Sequence, residues 1–272
     1  MEKYKLFIKG ESDTTYILTH GIGGDWRCWQ NMVKAIPEGR IFVLNLPGFG
    51  GTKPLKKLDQ ISFNRYINNF INLVAKPEGK LYLFGHSLGS ILLAGGVNDL
   101  KLQKDLKSRT KLVLFHFPYA NKWMSFGARN IAKAIQVLNV ELLSGMVSGF
   151  DQKNKTYIQL YDLYKKLVDH YVEKIDETYG EGEFLDEFLK MNIKAGKDGI
   201  DILNTFDCVP ALEQAQLPIT IIQGNRDHSI EPKMCYEILR NPNITQTWEP
   251  EFNHGSYIFE SEKCLKLAGI LC

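Results

Sequence analysis

One stretch limits what this chain can fold into: Gly85-His86-Ser87-Leu88-Gly89. It follows an apolar, strand-prone run, Leu81-Tyr82-Leu83-Phe84, and precedes a helix-prone one, Ser90-Ile91-Leu92-Leu93-Ala94. A strand that turns into a helix around one serine forces that serine into strained dihedral space and lifts its hydroxyl clear of the sheet. Strand and helix then approach so closely that the positions two before and two after the serine have little room for side chains. Gly85 and Gly89 stand there. The letters alone are weak, since ordinary Gly and Ser usage yields them in roughly one chain in ten of this length. The flanking strand and helix give them weight.

The rest of the chain supplies a matching framework. Tyr4 to Lys9 alternates as a strand, and Thr15-Tyr16-Ile17-Leu18-Thr19 is a short buried one that ends at His20-Gly21-Ile22-Gly23-Gly24. Asp25 can cap a helix with Trp29, Met32, Val33 and Ile36 at helical spacing. Ile41-Phe42-Val43-Leu44 is a further strand closed by Pro47-Gly48-Phe49-Gly50-Gly51, and a helix with Tyr66, Ile67, Phe70, Ile71 and Val74 follows. After the serine turn comes a strand at Leu112-Val113-Leu114-Phe115. Short, wholly apolar strands alternating with helices indicate an α/β fold with a parallel sheet covered on both faces, and such sheets bind ligands at the carboxyl ends of their strands. The glycine-rich loops and the serine turn fall at those ends.

From about Tyr119 to Thr205 no strand pattern is found. One helical stripe carries Tyr157, Tyr161, Tyr164, Val168 and Tyr171, and another carries Phe184, Leu185, Phe188 and Leu189. We read this stretch as a helical cap over the strand ends, with Gly145 to Gly149 and Gly180 to Gly182 as its flexible points. The expected division is a core of residues 1–118 and 206–272 and a cap of 119–205. Alternation resumes with Leu217 to Ile222, ending in Gly224-Asn225-Arg226-Asp227, then a helix around Met234, Ile238 and Leu239. A strand near Thr245 to Trp248, the loop Phe252-Asn253-His254-Gly255 and a last helix with Ile258 and Phe259 complete the chain.

Composition narrows the function classes. The 272 residues are 44% hydrophobic and 11% aromatic, enough for a substantial core, and the net charge is only +2. No basic stripe marks a nucleic-acid partner. No apolar run approaches the roughly 18 residues of a membrane span, and Met1 to Lys5 lacks a signal-peptide core. Five scattered cysteines are expected to be reduced thiols in a cytoplasmic protein, without metal-ligand or redox spacing. Gly21 to Gly24 is wrongly spaced for a dinucleotide and no Walker Lys-Ser/Thr follows, so no cofactor and no metal are expected.

A serine hydroxyl at neutral pH needs a base, and that base needs an orienting group. Of six histidines only His254 follows the last strand, downstream of the carboxylate Asp227 at the preceding strand's end. With serine, acid and histidine in that order, the chain resembles the α/β-hydrolase superfamily, in its serine-nucleophile, capped, esterase-like branch. The matching pieces are His20 to Gly24, Pro47 to Gly50, Gly85 to Gly89, Gly224 to Asp227 and Asn253 to Gly255. The resemblance implies a mostly parallel sheet with a helical cap inserted after the sixth strand. It implies Ser87 as nucleophile, His254 as general base and acid, Asp227 as its orienting carboxylate, and the backbone N–H groups of Ile22 and Leu88 as the oxyanion hole.

The implied activity is hydrolysis of a carboxylic ester through an acyl-enzyme. The same triad also serves C–C, thioester or acyl-carrier methyl ester hydrolysis and elimination, and the same fold serves slow or non-catalytic ligand receptors. Serine at the nucleophile position argues against the aspartate-using dehalogenase and epoxide-hydrolase branches. Blander readings stand beside each residue: Asp227 as a helix cap, His254 as a satisfied loop histidine, and His20 and His86 as structural groups beneath the oxyanion loop and beside the turn. His228 is read as local, His170 as solvated, and Cys28 and Cys208 as small core residues. His116, at a strand's carboxyl end, and Trp123, with Met124 and Phe126 at the start of the cap, are candidate substrate-pocket residues. Two departures from the family pattern are Asn45, where an acid is usual, and a single strand ahead of Thr15; the first is expected to affect loop hydrogen bonding.

Overall fold

In the computed structural model, which describes residues 3–125, 191–230 and 240–272, seven strands form one sheet in the order β1-β3-β2-β4-β5-β6-β7. They are β1 (Tyr4–Lys9), β2 (Thr15–Thr19), β3 (Gly39–Leu44), β4 (Leu81–His86), β5 (Thr110–Phe115), β6 (Ile219–Gly224) and β7 (Ile244–Glu249). Only β1 runs antiparallel, pairing with β3 at the edge; every other pair is parallel. All the parallel strands therefore end on one rim. A single strand precedes β2, so the expected insertion follows the fifth strand and not the sixth; the count is one too high because the antiparallel edge is one strand wide.

Strand residues alternate between two apolar layers, which is why these strands read as unbroken hydrophobic runs. Ile17, Phe42, Leu83, Leu112 and Ile221 face one layer. There they meet helix α2 (Gln60–Val74) through Phe63, Ile67 and Ile71, and helix α3 (Leu88–Gly95) through Ile91 and Leu92. Tyr16, Leu18, Ile41, Val113 and Ile222 face the other layer, with Trp29 and Met32 at helix α1 (Gln30–Ala35). Each fully buried Leu, Ile or Phe contributes about 1.5–3 kcal/mol of transfer free energy, so both layers hold the sheet. Asp25 caps a 3-10 turn, Trp26–Trp29, that leads into α1, by accepting from Arg27 N–H at 2.8 Å. Asp59 caps α2 through Ser62 N–H at 2.9 Å.

Among the described residues the remaining helices are α4 (Lys104–Lys107), α5 (Ile193–Thr205), α6 (Val209–Glu213), α7 (Ser256–Phe259) and α8 (Ser261–Leu267). The last helix expected around Ile258 and Phe259 is thus two, broken at Glu260. Helix α5 lies in the stretch expected to form the cap. Its entry is tied to the Pro47-Gly51 loop, with Asn192 N–H donating to Gly48 C=O at 2.6 Å, and its Asp198 accepts from Leu58 N–H at 2.8 Å. The tyrosine stripe from Tyr157 to Tyr171, the Phe184 to Leu189 stripe, both glycine pairs, Phe126, His170 and the helix around Met234 lie outside the described residues.

Candidate active site

Ser87 sits between β4 and α3 with φ 49° and ψ −115°, in the left-handed half of dihedral space that a non-glycine residue seldom occupies. The neighbourhood enforces this. A Cβ on Gly85 would lie 2.7 Å from Ser90 Cα, and one on Gly89 would lie 2.6 Å from Thr19 C=O and 2.7 Å from His20 C=O. Both expected steric demands are present. Ser90 locks the turn to β5, donating its hydroxyl to Phe115 C=O and accepting from Phe115 N–H, each at 3.1 Å. From Leu83 to Ala94 Ser87 alone is not fully buried.

The oxyanion candidates follow from the same crowding. Leu88 N–H opens α3 and has no intrahelical partner. Neither it nor Ile22 N–H donates to a backbone carbonyl among the described residues. The side chains of both residues converge on α5: a Cβ on Gly199 would lie 3.2 Å from Ile22 Cδ1 and 3.2 Å from Leu88 Cδ2. His20 supports this loop from beneath. Its Nε2 accepts from Leu46 N–H at 2.9 Å, which leaves Nδ1–H to donate to Gly21 C=O at 2.7 Å. Burial pushes its pKa down to about 4, against the upward pulls of the Gly21 bond and Asp25, so the ring stays neutral. Asn45 acts on loop hydrogen bonding, its Oδ1 accepting from Trp26 N–H at 2.8 Å.

Asp227 and His254 form the second half. Asp227 Oδ2 lies 2.9 Å from His254 Nδ1; the carboxylate is fully buried and the imidazole 15% exposed. A carboxylate only accepts, so the hydrogen is on Nδ1 and Nε2 is left as a bare base. Burial alone would raise the Asp227 pKa. The charge and hydrogen bond of His254, then the charge of His116 and the Ser229 hydroxyl, override it and hold the carboxyl down to about 2. Ser229, absent from the sequence candidates, donates its hydroxyl to Asp227 Oδ1 at 2.5 Å, and Ser229 N–H donates there too at 2.9 Å. Its oxygen is 3.1 Å from His254 Nδ1. The available signal was a small hydroxyl residue two positions after an aspartate, the spacing of an Asx turn.

His116 is not on an open wall. It is completely buried, with φ 49°, and its Nδ1 is 3.8 Å from Asp227 Oδ2, beyond hydrogen-bonding distance. Neither of its ring nitrogens has a hydrogen-bond partner among the described residues. Burial lowers its pKa to about 3 against the upward pull of Asp227. Its place is behind the Asp227–His254 pair, which corrects the expectation of a pocket residue. Trp123 is buried too, edge-on to Tyr119 at 6.0 Å, while the next residue, Met124, bridges to Ile230 beside the acid loop. The structure thus gathers Ser87, Asp227 and His254 on one rim, the last two in contact. Among the described residues no hydrogen bond joins the Ser87 hydroxyl to the His254 ring. No cluster of three His, Cys, Asp or Glu side chains fit to hold a metal occurs among them either. No described helix is long and apolar enough to cross a membrane.

A family profile described as "alpha/beta hydrolase fold" matches residues 16–94, from β2 through the serine turn into α3. Sequence comparison with curated proteins gives no significant match. Solved structures do match over nearly the whole chain. The enol-lactonase of Burkholderia xenovorans LB400 is 14% identical, with a TM-score of 0.71, covering 98% of this chain and 95% of its own. The esterase of Exiguobacterium antarcticum is 14% identical, with a TM-score of 0.70 and coverages of 98% and 93%. MenH from S. aureus is 14% identical, with a TM-score of 0.64 and coverages of 99% and 98%. At such identities the likeness is one of fold.

Proposed function

This chain has the α/β-hydrolase fold, and from that premise we propose that it is a serine hydrolase cleaving carboxylic esters of small or medium acyl groups through an acyl-enzyme. The observation that carries the reading is the buried Asp227 carboxylate 2.9 Å from His254 Nδ1, on the same rim as a serine held in a strained strand-to-helix turn. That pair fixes the tautomer with Nε2 free to take a proton. In apo structures the final contact between nucleophile and base is often long and closes on substrate.

In the proposed reaction Ser87 Oγ attacks the ester carbonyl carbon as its proton passes to His254 Nε2. The charge that develops on the carbonyl oxygen is met by the Ile22 and Leu88 N–H groups, donors of a kind typically worth about 3–4 kcal/mol each. The C–O bond breaks, and the alcohol leaves with the proton from Nε2. Water then gives its proton to Nε2 and attacks the acyl carbon, and Ser87 leaves with that proton. Asp227 stays ionised throughout and balances the imidazolium. Ester chemistry is favoured because the similar structures include an esterase and an enol-lactonase.

Two measurements test this. A fluorophosphonate is expected to add to one site, mapped to Ser87 by intact mass and peptide sequencing. Ser87→Ala and His254→Ala are each expected to abolish turnover of short p-nitrophenyl esters. Full turnover in either variant overturns the assignment, and absence of any adduct in a protein that still binds ligands favours the receptor reading.

A further inference from the structure

The residue before the serine does more than fill space. His86 is buried, and its Nε2 lies 2.9 Å from the backbone C=O of His254, 168 residues away in sequence. A carbonyl oxygen only accepts, so Nε2 carries the hydrogen and donates it. The other nitrogen is then bare in the neutral ring. It has no hydrogen-bond partner among the described residues and faces the oxyanion loop, where a Cβ on Gly21 would lie 2.9 Å from Nδ1 and 3.1 Å from Ser87 Cβ. One face of the ring stacks on Tyr257 of α7, with centroids 4.0 Å apart and planes at 26°. The His254 ring stands 4.8 Å away at 57°. One imidazole therefore touches the Gly21 loop, the histidine loop and the helix that follows it, and is covalently next to Ser87.

We propose that His86 is a positioning residue that ties the His254 loop to the serine turn through Nε2–H, so that nucleophile and base keep a fixed separation. The proposal rests on the assignment of Ser87 and His254 above. It follows from where the links fall. The Asp227 bond fixes the direction of the His254 ring but reaches it from β6, on the far side from β4. The His86 bond is a direct polar link between the segment carrying Ser87 and the segment carrying His254. Only the tautomer with hydrogen on Nε2 makes it. Burial, then the charges of His254 and His116, pull the His86 pKa well below its ordinary value, which keeps that neutral form; the titratable groups facing the ring are His20, His116, His254 and Tyr257.

Two substitutions separate positioning from packing. His86→Phe keeps a ring on Tyr257 and loses the donor, whereas His86→Gln loses the ring and keeps an N–H at the Nε2 reach. Steady-state kinetics on a p-nitrophenyl ester, with the thermal midpoint of each variant, give the answer. Misplacement of a base by a fraction of an ångström to one ångström costs up to about a hundredfold, so kcat of the Phe variant is expected to fall about tenfold to a hundredfold with KM within about twofold. The Gln variant is expected to recover most of that loss. A folded Phe variant at the wild-type rate, or a Gln variant as slow as Phe, overturns the proposal. His254→Ala in the same assay separates the two readings: if it retains turnover the assignment of the base fails, and if it is dead while Phe is unaffected only the role of His86 fails. Should the Phe variant not fold, ¹⁵N spectra of histidine-labelled wild-type protein decide. A neutral His86 with hydrogen on Nε2 is expected, and hydrogen on Nδ1 overturns the proposal.

Discussion

At the serine turn, Ser87 owes its place to backbone sterics, whereas across the rim Asp227 and His254 owe theirs to side-chain hydrogen bonds. Gly85 and Gly89 leave no room for a Cβ, and the chain between them has one path open to it, with Ser87 at φ 49°. Asp227 is held instead by a Ser229 hydroxyl, a Ser229 N–H and an imidazole around one buried carboxylate. The first half is a steric device whose imidazoles, His86 within the turn and His20 beneath the neighbouring loop, are buried and held neutral. The second is an electrostatic device, buried at a cost that its partners offset. Each half is accordingly vulnerable to a different kind of change, and that difference can be measured.

The largest effect is expected from Asp227→Asn, which keeps the shape of the electrostatic half and removes its charge. An amide can turn its NH₂ toward His254 Nδ1, forcing the hydrogen onto Nε2 and removing the base. By analogy with other Ser-His-Asp sites kcat is expected to drop roughly 10⁴-fold. Ester turnover checks this, and a loss below about tenfold would detach Asp227 from the chemistry.

The same division explains what the sequence made legible. The serine turn could be read directly because each of its letters encodes a local steric demand, and the strands because their apolar runs require burial on both faces. Asp227 and His254 could be picked out by chain order. The contacts of Ser229, His86 and His116 could not, since each depends on how loops from distant parts of the chain meet at the rim. His116 illustrates the limit: its position at the end of β5 was clear, but whether its ring turned outward or back under Asp227 rested on the packing of Phe252 and His254. The break at Glu260 between α7 and α8 was likewise settled by tertiary arrangement, whereas the single strand ahead of β2 was legible in the chain and only the strand count taken from the family pattern was one too high.

Burying imidazoles in both halves makes stability depend on pH. His20, His86 and His116 are buried and held neutral, with folded pKa values below those of the unfolded chain. Between the two values the unfolded state binds more protons, so stability rises with pH and is lost as pH falls below the ordinary histidine range. His20 and His116 each contribute about 1 kcal/mol per pH unit once the unfolded imidazole is charged, roughly 2 kcal/mol together between pH 6 and 5, and His86 acts in the same direction. Asp227 adds its own term lower down: with a folded pKa near 2, its stabilisation is present above the ordinary carboxyl range and fades as pH falls from about 4 to 2. Urea midpoints from pH 7 to 4 test the sign. A flat profile from pH 6.5 to 5 would mean that these imidazoles are protonated in the folded state.

The steric half responds to a single methyl group. Gly89→Ala improves helix propensity by about 1 kcal/mol on paper. Yet the new Cβ would stand 2.6 Å and 2.7 Å from two backbone carbonyl oxygens at the end of β2, which cannot move aside as a flexible side chain would. The contact wins, α3 is pushed from the sheet, and Ser87 and Leu88 move with it. We expect a lower thermal midpoint and a kcat reduced about a hundredfold, with slower fluorophosphonate labelling. Labelling at the wild-type rate would show that the turn absorbs a Cβ at Gly89 despite these contacts.

The smallest effect sharpens the comparison most, because it alters one hydroxyl in the electrostatic half and nothing in the steric half. Ser229→Ala removes one of two bonds to Asp227 Oδ1 but keeps the Ser229 backbone N–H, and it removes the oxygen 3.1 Å from His254 Nδ1. A hydrogen bond to a charged group contributes about 1.5–3 kcal/mol net, and the low end applies where a second donor stays in place, so kcat is expected to fall about tenfold. The carboxyl, relieved of one donor, becomes easier to protonate, so the acid limb of the stability profile should move to higher pH. Fluorophosphonate labelling measured against pH separates the outcomes: reduced reactivity with unchanged folding places Ser229 in support of the acid–base pair, whereas an unaltered rate would leave the Asp227–His254 contact sufficient by itself.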